Sequence, residues 1–166
     1  ADTLSASYDA RTFQAFAELG YDMRMGGVAV EPFANLAYVH HRTGSYSESG
    51  GAAALSSPAQ SNETTFTTLG VRASTDFTLG EIKATARGMI GWRHAFGDTI
   101  PSATHAFAGS DPFTIAGAPI ARDAAVIEAG MDFALTPQSN LGISYNGQFS
   151  SRSVEHGGRI DITIRF

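Results

Sequence analysis

The sequence predicts an all-β fold, an antiparallel up-and-down transmembrane β-barrel of about seven or eight strands, and three observations support this prediction. Polar and apolar residues alternate over long stretches, which is typical of strands whose two faces meet different surroundings. No stretch of useful length has the 3.6-residue period of a helix. Short turns alternate along the chain with longer connections rich in Ser, Gly, Ala and Pro.

Seven segments with a period of two residues are the predicted strands. They span residues 11–24, 28–41, 64–79, 82–96, 123–135, 141–149 and 159–166. Tight turns are predicted at 25–27, 80–81 and 136–140, and longer loops at 42–63, 97–122 and 150–157. Pro32 lacks a ladder donor and predicts a bulge or an edge in the second strand. The whole chain, residues 1–166, is expected to form a single domain.

Each segment has one apolar face. In chain order, these faces contain Phe13 and Leu19; Val28 and Leu36; Leu69 and Val71; Ile82 and Ile90; Ile127 and Met131; Leu141 and Ile143; and Ile160 and Ile162. The opposite face is polar and is predicted to hold all of the charges within the strands. Its predicted lumen-facing residues are Glu18, Asp22, Glu31, Arg72, Asp76, Lys83, Arg87, Arg93, Glu128 and Asp132.

Three features favour a membrane barrel with its charges inside over a soluble ligand-binding β-barrel with its charges outside. Most of the segments reach the roughly ten residues that a tilted strand needs to cross a bilayer. One face is free of charge, and its many alanines suit contact with lipid better than a packed core. Aromatic residues also gather near strand ends as predicted interfacial girdles. These residues are Tyr21, Phe77, Phe133 and Phe166 at the short-turn end, and Tyr38, Trp92 and Phe149 at the other end.

Composition excludes several classes of function. The net charge of −5 gives no basic footprint for nucleic acid, and the absence of cysteine excludes disulfides and thiol chemistry. No apolar run reaches the roughly 18 residues of a membrane helix. The first residues do not resemble a signal peptide, so we expect a chain that is cytosolic, processed or a fragment. We expect no cofactor.

Catalytic and metal sites are not expected either. The five histidines all lie towards the long-loop side, and they lack close ligand spacing. His41 with Glu48, or His156 with Ser153, offer acid–base pairs of a kind that any serine-rich loop contains. Arg122 and Asp123 are predicted to form a structural ion pair. The Gly-Gly pairs at 26, 50 and 157 are interpreted as turn or loop material and not as phosphate-binding loops.

An odd number of strands raises the question of closure. Closed bacterial barrels have an even number, and an open edge in lipid leaves backbone groups unpaired. Either residues 1–9 supply a short eighth strand, or the chain is part of a larger barrel. An open edge also permits self-association or pairing with a partner protein.

Several stretches resemble the C-terminal β-barrel, or translocator domain, of bacterial autotransporters, which belong to type V secretion. They are "YDARTFQAFAELGYDM", "GWRHAFGD", "FTIAGAPIARDAAVIEAGMDF", "LGISYNGQF" and "RIDITIRF". The resemblance covers nearly the whole chain and is most specific over residues 113–133. It implies a twelve-stranded barrel in the bacterial outer membrane, of which this chain supplies about seven C-terminal strands. It also implies a pore helix and an N-terminal passenger, neither of which lies in these residues.

The resemblance implies that the domain anchors a passenger and forms part of the pore through which the passenger reaches the cell surface. Its partners are outer-membrane lipids, the passenger and the barrel-assembly machinery. The terminal strand resembles the assembly signal, with Asp161 where glycine is usual. The predicted signal residues are Arg159, Ile160, Ile162, Ile164 and Phe166. The alternative to a translocator is a small self-closed barrel that acts as an adhesin or structural protein through its loops.

Overall fold

A computed structural model describes residues 3–51 and 53–165, and its regular structure there consists of twelve β-strands. The strands are β1 Ala10–Gly20, β2 Met23–Met25, β3 Val28–Thr43, β4 Tyr46–Ser47, β5 Leu55–Ser57, β6 Gln60–Leu79, β7 Ile82–Gly97, β8 Ser102–Phe107, β9 Phe113–Ala116, β10 Asp123–Thr136, β11 Ser139–Ser150 and β12 Val154–Ile164. In this part of the chain no helix is long and apolar enough to cross a bilayer, a finding that concerns helices alone.

The long strands form one sheet with the order β1-β3-β6-β7-β10-β11-β12, and β2 pairs with β3 at its side. Neighbours in this sheet are also neighbours along the chain, apart from the short strands between them. Every pairing with a known register is antiparallel. The prediction of an all-β, antiparallel, up-and-down arrangement is therefore confirmed.

The chain divides into two compact units, each built from three segments. The first unit comprises residues 1–16, 37–66 and 95–120, and the second comprises residues 17–36, 67–94 and 121–166. The first unit contains a second sheet with the order β4-β5-β8-β9. Its rings contact one another, since the ring centroids of Tyr8 and Tyr46 lie 5.4 Å apart and those of Phe107 and Phe113 lie 5.6 Å apart. The prediction of plain loops at 42–63 and 97–122 is therefore wrong.

The second unit contains four strands in continuous register. β7 pairs with β10 (Gly88↔Ala129), β10 pairs with β11 (Ala129↔Tyr145), and β11 pairs with β12 (Tyr145↔Gly158). Residues that oppose each other across all four strands are called a row below. Because side chains alternate along a strand, successive rows point to opposite faces of the sheet.

Other predicted boundaries also differ from the structure. The first predicted strand, 11–24, is interrupted at Tyr21 and Asp22, opposite Pro32. The Tyr21 amide donates to the Pro32 carbonyl at 3.1 Å, but Pro32 has no N–H to return, so the ladder breaks on the partner strand. Residues 3–9 form only one bridge, Ser5↔Ser49, so this stretch supplies no eighth strand.

The predicted loop at 150–157 is also wrong, because β12 already begins at Val154. Only residues 151–153 connect β11 to β12, and the Ser150 hydroxyl caps this turn by donating to the Ser153 carbonyl at 3.0 Å. Gly157 and Gly158, interpreted from the sequence as loop material, lie within the strand opposite Asn146 and Tyr145. The interpretation of the first Gly-Gly pair agrees with the structure, since Gly26 has a φ of 63° in the turn before β3.

Burial in this protein is slight. Among the described residues, no large side chain is fully buried, and the buried apolar residues are Phe33, Ala84, Ala95 and Ala124. Large apolar side chains are instead exposed along the strands, including Leu19 at 80% and Ile160 at 71%. β1 is exposed along its whole length, and β12 nearly so. A sheet with apolar side chains on its surface requires an apolar medium or further protein against it.

Candidate functional site

The polar face of the second unit is a series of rows, and the first four of them alternate in the sign of their charge. From the short-turn end, the rows are Lys83–Ala134–Asn140–Thr163, Thr85–Asp132–Gly142–Asp161, Arg87–Gly130–Ser144–Arg159, Met89–Glu128–Asn146–Gly157 and Gly91–Val126–Gln148–Glu155. The first four rows are thus basic, acidic, basic and acidic in turn, and the fifth row, which contains Glu155, is acidic again. The alternation predicted from the sequence places all of these residues on one face.

Arg72 is the centre of an ion-pair network that links β1, β3 and β6. Its guanidinium donates to both carboxylate oxygens of Glu18, at 2.7 and 3.0 Å, and to Glu31 at 3.4 Å. The Asn35 amide donates to Glu18 at 3.3 Å. A two-pronged contact between Arg and a carboxylate fixes the orientation of both groups as well as their distance. Three of the predicted lumen-facing residues are therefore brought together here.

The same guanidinium lies over the ring of Phe33, with its central carbon 3.8 Å from the ring centroid. Phe33 is only 7% exposed because its ring rests against Gly70 on β6. A Cβ atom at Gly70 would lie 2.7 Å from the ring and 2.7 Å from the Ile90 carbonyl oxygen. Glycine at position 70 therefore creates the space that the ring fills.

A second ion pair joins β7 to β10. Arg87 lies 3.0 Å from Asp132, and its side chain crosses Gly130, where a Cβ atom would collide with it. The Thr85 hydroxyl donates to Asp76 at 2.7 Å. A cleft of about 530 Å³ lies beside both ion-pair networks, and its lining includes Glu31, Arg72, Arg87, Glu128, Ser144 and Asn146. The polar face is therefore a wall of fixed charges of both signs that encloses water-sized space.

The apolar face contains the complementary rows. They are Ala84–Phe133–Leu141–Ile162, Ala86–Met131–Ile143–Ile160, Gly88–Ala129–Tyr145–Gly158, Ile90–Ile127–Gly147–His156 and Trp92–Ala125–Phe149–Val154. Phe133 and Trp92, predicted as interfacial aromatics, therefore occupy the first and last of these rows, and Phe149 shares the row of Trp92. Tyr38 contacts Phe13 with ring centroids 6.3 Å apart in the first unit. Phe77 lies in β6, and Phe166 lies outside the described residues.

The apolar face is not free of charge, so that prediction is wrong at one end. Asp123 opposes His94 on the face of Trp92. Its Oδ1 atom lies 2.7 Å from His94 Nδ1 and accepts a hydrogen bond from the Trp92 indole at 3.0 Å. Asp123 is tolerated because it is the first residue of β10, beyond the last apolar row. Its short-range partner is His94, whereas Arg122, the predicted partner, interacts with it electrostatically without a salt bridge.

The residues considered for catalysis or metal binding are not brought together. The His41 ring contacts Thr12 and Thr43, whereas Glu48 accepts a hydrogen bond from the Leu55 amide. His156 lies in β12 beside Tyr145, with ring centroids 6.3 Å apart. Within the part of the chain that the structure describes, no three metal-ligating side chains cluster.

Sequence reasoning missed the contact between Phe33 and Gly70, although a signal was present. Phe33 is an aromatic residue between Glu31 and Asn35 on a face that is otherwise polar. A ring in such a position requires a local partner that hides its surface, and a glycine on the neighbouring strand supplies the space for one.

One family model and two curated relatives match this chain. The family model described as "Autotransporter beta-domain" matches residues 1–146. Two proteins from Serratia marcescens, each named "Extracellular serine protease", are 39% identical to this chain over 166 and 167 residues. The matches cover 99% and 100% of this chain but only 16% of each relative. The chain thus spans about one sixth of the length of these relatives.

Replacing Gly70 tests the packing of the polar face. We expect Gly70→Ala to lower the free energy of unfolding by about 1–3 kcal/mol, because the new methyl group overpacks the Phe33 ring and the β7 backbone. Gly88→Ala on β7 is the matched control, since its Cβ atom would meet only the Glu128 carbonyl oxygen, at 3.6 Å. Urea unfolding of the membrane-assembled protein, followed by heat-modifiable gel mobility, measures both. Equal losses for the two variants would contradict the packing account.

Removing Arg72 tests the ion-pair network. Arg72→Met leaves two neighbouring carboxylates without their shared cation, whereas Arg87→Met leaves only Asp132. We therefore expect Arg72→Met to lower the urea midpoint more than Arg87→Met does. Adding Glu31→Gln to Arg72→Met should restore part of the loss, because it removes the repulsion. No restoration in the double variant would show that the carboxylates do not repel each other.

Proposed function

We propose a function from the premise that this chain belongs to the autotransporter β-domain family, whose model matches residues 1–146. The chain is an outer-membrane translocator domain. Family membership favours this function over the small self-closed barrel and the soluble ligand-binding barrel that the sequence alone left open.

In this proposal, residues 1–166 are one portion of a larger barrel. The exposed strands β1 and β12 support it, since the described part of the sheet ends at these two strands. Backbone groups at a sheet edge in lipid need partners, because no water is present to satisfy them. The remaining strands would come from the longer protein that the relatives' length suggests.

The polar face forms part of the passage for the passenger, and the alternating charged rows are the observation that best supports this role. Basic and acidic rows follow one another at about two-residue intervals, and Arg72 and Arg87 are held against the wall by carboxylates. A wall with charges of both signs has no large field of one sign, so it does not retain a passing polypeptide of either charge.

The passenger lies in the part of the longer protein outside this chain. The relatives are named as serine proteases, but this chain spans only 16% of each of them. We therefore assign no catalytic role to residues 1–166, and any protease activity of the whole protein belongs to its passenger.

The terminal strand serves assembly. β12 is exposed on both faces and contains Arg159, Ile160, Ile162 and Ile164 of the predicted signal, while Phe166 lies outside the described residues. An exposed edge with alternating side chains suits recognition by strand addition, in which backbone hydrogen bonds give affinity and side chains give specificity.

Bulky substitutions on the two faces of β11 test whether the polar face forms part of the passage for the passenger. In the full-length protein, Ser144→Trp with Asn146→Trp narrows the polar side, so we expect severalfold less passenger at the cell surface. Ile143→Trp with Tyr145→Trp is the matched control on the neighbouring positions of β11, and it should leave surface display unchanged. Protease shaving of intact cells measures display, and heat-modifiable mobility measures assembly. Equal loss of display in both assembled variants would contradict the proposal.

A further inference from the structure

Two arginines lie at the same end of neighbouring strands in the second unit. Arg122 directly precedes β10, and Arg152 lies in the turn that follows β11. β10 and β11 remain paired to their ends at Ala124↔Ser150, so the two arginines extend beyond one edge of the same strand pair. Both are exposed. Asp123, which follows Arg122, accepts hydrogen bonds from His94 and Trp92 and also interacts electrostatically with Arg122, and Glu155 lies three residues after Arg152.

Aromatic rings lie near the same end of these strands, on the apolar face. The last full row of this face contains Trp92, Ala125 and Phe149, so the two rings flank a single methyl group. The Trp92 ring is 48% exposed, and its N–H points to Asp123 at the strand end. An apolar ring with its polar tip directed towards the strand end is the arrangement expected where acyl chains give way to headgroups.

An apolar recess lies further along the same face. Its volume is about 770 Å³, and its lining on this face includes Ala86, Ala129, Met131, Ile143, Tyr145 and Ile160. Two of its lining residues, Ala129 and Gly158, leave space because one has only a methyl side chain and the other has none. Ala129 is seven residues from Arg122, or roughly 23 Å along the strand. That distance is comparable to the length of a lipid acyl chain.

We propose that this face of β10 and β11 binds one anionic phospholipid. The phosphate binds Arg122 and Arg152, the interfacial part of the lipid packs between Trp92 and Phe149, and an acyl chain fills the recess. The order of the three features along the strands, cationic then aromatic then apolar, matches the order of groups in such a lipid. Guanidinium groups suit phosphate because they offer several N–H donors in a plane. The inference rests on the outer-membrane location of the domain.

Fluorescence quenching tests the site, because Trp92 is the only tryptophan of the chain. The full-length protein is reconstituted in dioleoyl-phosphatidylcholine bilayers that contain equal fractions of brominated phosphatidylglycerol or brominated phosphatidylcholine. Subtracting the signal of Trp92→Phe isolates the emission of Trp92. We expect stronger quenching by the anionic lipid, with a preference of about fivefold for each arginine involved.

Three pairs of arginine substitutions test whether Arg122 and Arg152 cause this lipid preference. Arg122→Gln with Arg152→Gln should abolish the preference, whereas Arg122→Lys with Arg152→Lys should retain most of it. Arg24→Gln with Arg165→Gln removes the same charge at the opposite strand ends and should leave the preference intact. The proposal would be overturned if the preference survived in Arg122→Gln with Arg152→Gln. It would also be overturned if Arg24→Gln with Arg165→Gln lost the preference to the same extent. Loss of the preference on addition of inorganic phosphate would also overturn it, since the site would then bind phosphate without a lipid.

The result is separable from the translocator function. Arg122→Gln with Arg152→Gln should leave surface display of the passenger unchanged, because neither arginine lies in a row of the polar face. A loss of display together with a retained lipid preference would reject the lipid site and not the translocator function.

Discussion

The continuous register of β7, β10, β11 and β12 is the constraint on which the rest of the structure depends. A shift of one residue in the pairings of β10 would move Glu128 and Asp132 to the apolar face and Ile127 and Met131 to the polar face, and a shift between β11 and β12 would exchange Asp161 and Ile160 in the same way. In a bilayer that exchange is costly twice, because charges enter lipid and apolar groups enter water. The two-residue alternation of polar and apolar side chains therefore determines the strand register, and the ladder of backbone hydrogen bonds keeps each side chain on its face.

The absence of a conventional core among the described residues follows from the same constraint. Apolar side chains face outward, and the polar face is organised by fixed contacts: Arg72 with Glu18 and Glu31, and the Phe33 ring against Gly70. These contacts join β1, β3 and β6 from the polar side. Stabilisation among the described residues thus comes from strand pairing and local packing on the polar face, and the exposed apolar side chains require an apolar medium or further protein against them.

Sequence alone predicted the parts governed by alternation and missed the parts governed by local packing. The long strands and their polar face follow from the period of two, but β4, β5, β8 and β9 are short and lie in Ser-, Gly- and Ala-rich stretches with little alternation. Gly157 and Gly158 looked like a turn because glycine gives no side-chain pattern, yet pairing with β11 makes them strand. The partner of Asp123 depends on strand register, which no local pattern reveals.

Accessibility of alternate positions in β11 tests the central claim most directly, because the chain contains no cysteine of its own. Single cysteines are introduced by Ile143→Cys, Ser144→Cys, Tyr145→Cys and Asn146→Cys in the membrane-assembled protein and exposed to a water-soluble maleimide. We predict labelling at positions 144 and 146 and protection at positions 143 and 145. Uniform labelling, or labelling with the opposite alternation, would contradict the assignment of one face to water and the other to lipid.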